Sequence, residues 1–112
     1  AVEAAGQQIP EGFAIADLVP MLTSTDNRVR ANAVRALLKV GVREAAEALL
    51  RMLQDENRAH RISALWLVDQ LSLMPLTQRV MDLAQNDGDE QVRARAAALA
   101  ARLNQATPEV TS

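Results

Sequence analysis

The sequence predicts an all-α fold assembled from three successive helical hairpins. Two observations carry this reading: an apolar content of 49% with only 2% aromatic residues, and a short motif that returns three times in register. The apolar mass is mostly Ala, Leu and Val, beside Phe13, Trp66 and no Tyr. Ala and Leu are the strongest apolar helix formers, whereas sheets draw on β-branched and aromatic side chains.

The motif opens with an acid, places a small apolar residue three positions on and a small residue seven positions on. It begins at Asp26 (Val29, Ala33), at Glu56 (Ala59, Ser63) and at Asp89 (Val92, Ala96). Upstream of each copy lies a segment with the three-and-four spacing of an amphipathic helix. The first holds Ile15, Leu18, Val19, Met21 and Leu22; the second Ala45, Ala46, Leu49, Leu50, Met52 and Leu53; the third Leu76, Val80, Met81, Leu83 and Ala84. Polar breaks separate the two helices of each pair: Thr23–Asp26, Gln54–Glu56 and Asn86–Asp89. Acids in these breaks suit the N-cap of the second helix, where the first-turn N–H groups lack partners. Gly41 is placed as a helix C-cap and Pro75 as a breaker between units. Three units follow, near 15–40, 44–72 and 76–103, with 1–14 a linker or the end of a preceding element and 104–112 a disordered tail.

The pattern acid-x-x-Val-Arg-x-x-Ala-x-x-x-Leu at the start of each second helix resembles the HEAT repeat, a relative of the armadillo repeats. Asp26, Val29, Arg30, Ala33 and Leu37 match it in full. Asp89, Val92, Arg93 and Ala96 match, with Ala100 in the last place, while the middle copy has Ala59, His60 and Ser63 and keeps Leu67. The units are short and in this are similar to the compact bacterial type. The resemblance covers roughly 15–103 and implies a right-handed α-solenoid of about three HEAT-like hairpins. It also implies an Arg–Asp network between repeats, here Arg30, His60 and Arg93 against Asp26, Asp55/Glu56 and Asp87/Asp89, with His60 doing a weaker version of the Arg's task.

No residue set points to catalysis or to a cofactor. There is no Cys and a single histidine, His60, so a zinc or iron site lacks its ligand set. This separates the chain from HEAT-like hydroxylases, which carry His-Glu pairs. Ser24, Ser63 and Ser72 have no base at a recognisable spacing and no glycine-rich elbow. Asp87 and Asp89 around Gly88 fit a capped turn, since the other positions of a calcium loop are missing. No apolar run approaches the ~20 residues of a membrane span. The formal charge of −2 gives no basic field toward nucleic acid. Eleven of the twelve basic residues are Arg, with Lys39 the exception; multi-donor recognition and GC-rich coding account for that bias equally well. The chain opens Ala1-Val2-Glu3 without Met or a signal pattern, and is read as a processed product or, more readily, a piece cut from a longer protein, either cytoplasmic or the cytoplasmic part of a larger one.

The expected function is therefore a non-enzymatic protein-interaction or scaffold module. In a HEAT-like stack the second helices line the concave face. On the first of them Val29, Ala33, Ala36, Leu37 and Val40 are expected to point inward. The opposite stripe carries Arg28, Asn32, Arg35 and Lys39, continued by Arg58, Ile62, Leu65 and Asp69 and then by Gln91, Arg95, Ala98 and Arg102. This describes a groove, positive at both sides and apolar at Ile62 and Leu65, suited to an acidic amphipathic or extended partner segment. A plain solvated Arg face, with Ile62 and Leu65 packed against neighbouring repeats, fits the same residues. Trp66 is read as a core filler, with a place bordering the strip of Ile62 and Leu65 as the alternative. The poorly capped first helix and Ala96, Ala97, Ala100 and Ala101 of the last suggest further repeats or self-association through apolar ends. HEAT-like alkylbase glycosylases and bilin lyase-like HEAT proteins supply the alternatives, a nucleic-acid-binding module or a lyase, but the aromatic-lined basic groove of the former is missing.

Overall fold

The structure, a computed structural model, describes residues 14–106. Among the described residues there are six α-helices, two 3-10 segments and no strand. In chain order these are α1 (Ile15–Leu18), a 3-10 turn at Val19–Thr23, α2 (Asn27–Lys39), α3 (Arg43–Leu53), α4 (Arg58–Leu71), a 3-10 turn at Met74–Leu76, α5 (Thr77–Asn86) and α6 (Glu90–Ala106). The protein is thus an all-α chain of repeated helices. The linker expected over 1–14 and the tail expected over 104–112 fall outside the described residues, apart from Ala14 and the end of α6, which runs on to Ala106.

Packing sorts the chain into two compact units, one ending at Asp55 and the other beginning at Glu56. The boundary falls between α3 and α4, the two helices read from the sequence as one hairpin. In the first unit, α3 lies against α2 and the Val19–Thr23 turn. Its buried residues Ala45, Ala48, Leu49, Met52 and Leu53 follow the three-and-four spacing of one helical face. In the second unit α6 packs on both α5 and α4, around Leu67, Val68, Val80, Val92 and Leu99, all fully buried.

Three local expectations are corrected. The first is the helix over 15–22, which lasts one turn before tightening into 3-10 geometry at Val19–Thr23, leaving Ile15 and Val19 exposed. Pro20 is the cause, because it lacks an N–H for an α-type bond and restricts the residue before it. The second is the inward stripe of α2. Ala33, Ala36 and Leu37 are buried, but Val29 is 40% exposed and Val34 fully buried. Arg30 turns inward to donate its Nε–H to the Leu22 carbonyl at 2.9 Å and Nη1 to Asp55 at 3.0 Å. The buried residues of α2 are therefore Arg30, Ala31, Ala33, Val34, Ala36 and Leu37, and Val29 is rotated away from them. The third is the middle N-cap. Asp26 caps α2 by accepting from Arg28 N–H (2.9 Å) and Val29 N–H (3.0 Å), but Asn57, not an acid, caps α4, accepting from Ala59 N–H at 2.8 Å.

Two helices end in the same left-handed motif. After α2, Val42 N–H donates to Leu37 C=O (3.0 Å) and Gly41 N–H to Leu38 C=O (3.1 Å), with Gly41 at φ 83°. After α4, Leu73 N–H donates to Val68 C=O (3.0 Å) and Ser72 N–H to Asp69 C=O (3.2 Å), with Ser72 at φ 50°. Both are Schellman caps, but only the first uses the residue that adopts this conformation freely. A Cβ at Gly41 would meet no atom within 4 Å, so its cost there is conformational alone. Gly41→Ala is expected to destabilise the chain by about 1 kcal/mol and Ser72→Gly to stabilise it by about 0.5 kcal/mol. Urea unfolding midpoints at unchanged slope check both signs.

Candidate functional site

The site begins with the ties that hold α4 and α6 in register. Arg61, on the first turn of α4, grips Asp87 in the α5–α6 turn with Nε to Oδ2 at 2.9 Å and Nη2 to Oδ1 at 3.1 Å. The Asp87 side chain is only 4% exposed. Its Oδ1 also accepts from Asp89 N–H at 2.9 Å, and its carbonyl accepts from Arg93 Nη1. The other Arg61 arm donates to the Glu56 carbonyl at 3.0 Å. Sequence reasoning missed Arg61. It assigned the network to the repeat position, where His60 stands; His60 is buried, and the guanidinium that reaches the turn acid comes from the next residue. Arg93 reaches Asp87 through the backbone carbonyl rather than the carboxylate.

Two further ion pairs link α4 and α6. Arg58 Nη1 meets Asp89 Oδ2 at 3.2 Å, near the start of both helices. Arg102 Nη2 meets Asp69 Oδ2 at 3.1 Å, toward their ends. The helices therefore run side by side in one direction. Between the two pairs lies an open groove of about 260 Å³, walled by Ile62, Leu65, Trp66 and Asp69 of α4 and by Arg95, Ala98 and Arg102 of α6. The sequence-predicted residues Ile62, Leu65, Asp69, Arg95 and Arg102 are brought together here, while Arg58 sits beyond the groove in its ion pair.

Within the groove the residues differ in what they offer. Leu65 is 3% exposed and forms floor rather than contact surface, whereas Trp66 is 44% exposed. The expectation that Trp66 fills the core is thus corrected. Its neighbours Ala64, Leu65, Leu67 and Val68 are all buried, and a helix has one outward direction in each turn, which Trp66 occupies. Among the described residues Arg95 makes no hydrogen bond or ion pair, and Asp69 is spoken for by Arg102. The first-unit positions of the predicted face, Arg28, Asn32 and Lys39, are exposed on α2, and Arg35 is half-buried. Arg35 Nε is buried and has no hydrogen-bond partner among the described residues.

Asp89 serves twice, capping α6 through Val92 N–H at 3.0 Å and pairing with Arg58. The Val92 N–H above all holds its carboxyl below the usual aspartate range; desolvation opposes this, and the Arg58 guanidinium and the Gln91 N–H add to the lowering. Because the folded chain keeps this group more acidic than the unfolded chain does, its contribution is complete above the ordinary carboxyl range. That contribution is lost as pH falls through the lowered folded value.

Among the described residues no three His, Cys, Asp or Glu side chains gather as a metal site. None of the described helices is long and apolar enough to cross a membrane. A family model described as HEAT repeats matches residues 15–102. No curated protein and no solved structure matches the chain.

Two outcomes test the ties. Asp87→Ala removes the buried carboxylate that Arg61 grips and is expected to cost about 3 kcal/mol, against a much smaller loss for Asp69→Ala at the exposed pair; chemical denaturation compares them. Asp89→Ala is expected to flatten the fall in stability below about pH 4, measured as unfolding free energy against pH.

Proposed function

The chain belongs to the HEAT-repeat family, and from that premise we propose that it is a non-enzymatic interaction module that takes a partner segment in the groove between α4 and α6. HEAT repeats are commonly protein-interaction scaffolds, and the family is typically non-enzymatic. The observation that carries the reading is the exposure of Trp66 on a groove wall. Exposing an indole leaves a large apolar area in water, and Trp and Arg are the residues most often found at the energetic centre of protein interfaces. Trp66 and Arg95 face the same groove, so an anchor and an orienting charge stand together.

The outward stripe of α2, with Arg28, Asn32 and Lys39 exposed and Arg35 half-buried, belongs to the proposed binding face as a separate patch on the first unit. Nucleic-acid binding has less support. Two of the cations on this side, Arg58 and Arg102, are paired with carboxylates, and Trp66 is the only aromatic on the groove, where strand binding uses several stacking platforms.

The test uses Trp66→Ala with Arg95→Ala as the groove variant and Arg51→Ala with Arg79→Ala, on α3 and α5, as the control. Leu65 is left intact because its burial makes any substitution a folding defect. Truncating a central Trp is expected to weaken binding by about 2 kcal/mol, roughly thirtyfold. Quantitative affinity capture should therefore lose a defined set of proteins from the groove variant and keep that set in the control. Equal recovery from wild type and both variants would remove the groove from consideration.

A further inference from the structure

We propose that the occupant of the α4–α6 groove is an amphipathic helix with an acidic residue beside its apolar face, an assignment that rests on the interaction reading above. Three features argue for a helix over an extended strand. First, the groove walls are the side chains of two helices whose backbone groups are already bonded within each helix, so no edge is offered to pair with a strand. Second, its floor and flank are Ile62, Leu65, Trp66 and Ala98. An extended segment would turn unpaired N–H and C=O groups toward that apolar surface, at a desolvation cost a helix avoids by bonding its own backbone. Third, the α4 wall of the groove runs from Ile62 to Asp69, about 11 Å at about 1.5 Å per residue, which two turns of an incoming helix cover with apolar residues at three-and-four spacing.

The charge of the occupant follows from the pairing. Asp69 and Arg102 neutralise each other at one end, and Arg58 and Asp89 do so beyond the other. The charged wall residue left without a counter-ion among the described residues is Arg95. A carboxylate on the incoming helix supplies that counter-ion, and a guanidinium binds it through paired donors. Ala98, small and exposed on α6, lets the incoming backbone approach closely, while Trp66 meets an apolar side chain on the opposite flank.

A displayed library of random peptides about twelve residues long, enough for the turns that cover the groove and a flank on each side, tests this against the intact chain. The expected selection is for apolar residues at three-and-four spacing with Asp or Glu on their border, without internal Pro. Selected peptides should shift the emission of Trp66, the only Trp in the chain. Arg95→Gln should weaken an acidic peptide roughly tenfold and leave its Gln counterpart almost unchanged. Selection of basic or Pro-containing peptides, equal binding of acidic and Gln forms, or no selection at all overturns the assignment. If any of these occurs while the groove variant still loses its captured partners, the occupant is wrong and the groove reading stands. If capture is also unchanged, both fail.

Discussion

The second unit depends on one carboxylate. Asp87 receives two arms of Arg61 and the Asp89 N–H, while its own carbonyl receives Arg93. These bonds fix the α5–α6 turn against the start of α4, and so set where α6 begins and how it runs beside its neighbour. A carboxylate this buried is tolerated because every approach to it is a donor. Apolar packing of Leu67, Val68, Val80, Val92 and Leu99 supplies the larger share of cohesion, but it is not directional. The Asp87 knot supplies the register that packing alone leaves open.

Register is what makes the groove. With α4 and α6 parallel and tied at both ends, Ile62, Trp66, Ala98 and Arg95 face a common space. A shift of one residue along α6 would rotate that helix by about 100°, replacing Arg95 and Ala98 by residues that now point elsewhere. The groove is thus a product of the ion pairs that frame it, and the polar network and the apolar groove wall are one construction.

Much of this was legible in the sequence, because the repeat motif encodes caps and periodicity directly. Asp26, Asp89 and Gly41 do what their types and positions suggest, and Ile62, Leu65, Asp69, Arg95 and Arg102 share a face as helical spacing requires. The departures have local causes. Pro20 breaks a periodicity that apolar spacing by itself does not register. Arg30 draws its own side of α2 inward, displacing Val29, which a pattern of apolar residues assigns to the core. Arg61 was hidden because the motif directs attention to position 60. The direction of Trp66 depended on whether Leu65, Leu67 and Val68 already filled the interior, a question of volume that composition poses but does not answer.

The ion pairs share a further property in their reach along the chain. Arg30 and Asp55 are 25 residues apart, Arg61 and Asp87 26, Arg58 and Asp89 31, Asp69 and Arg102 33. Each spans about one repeat and none spans two. Order in such a chain is passed from neighbour to neighbour, as in a one-dimensional lattice. Lengthening it needs only one more hairpin with an acid in its turn and an arginine one repeat earlier, so the length of the array can change in evolution without redesign of the repeats already present.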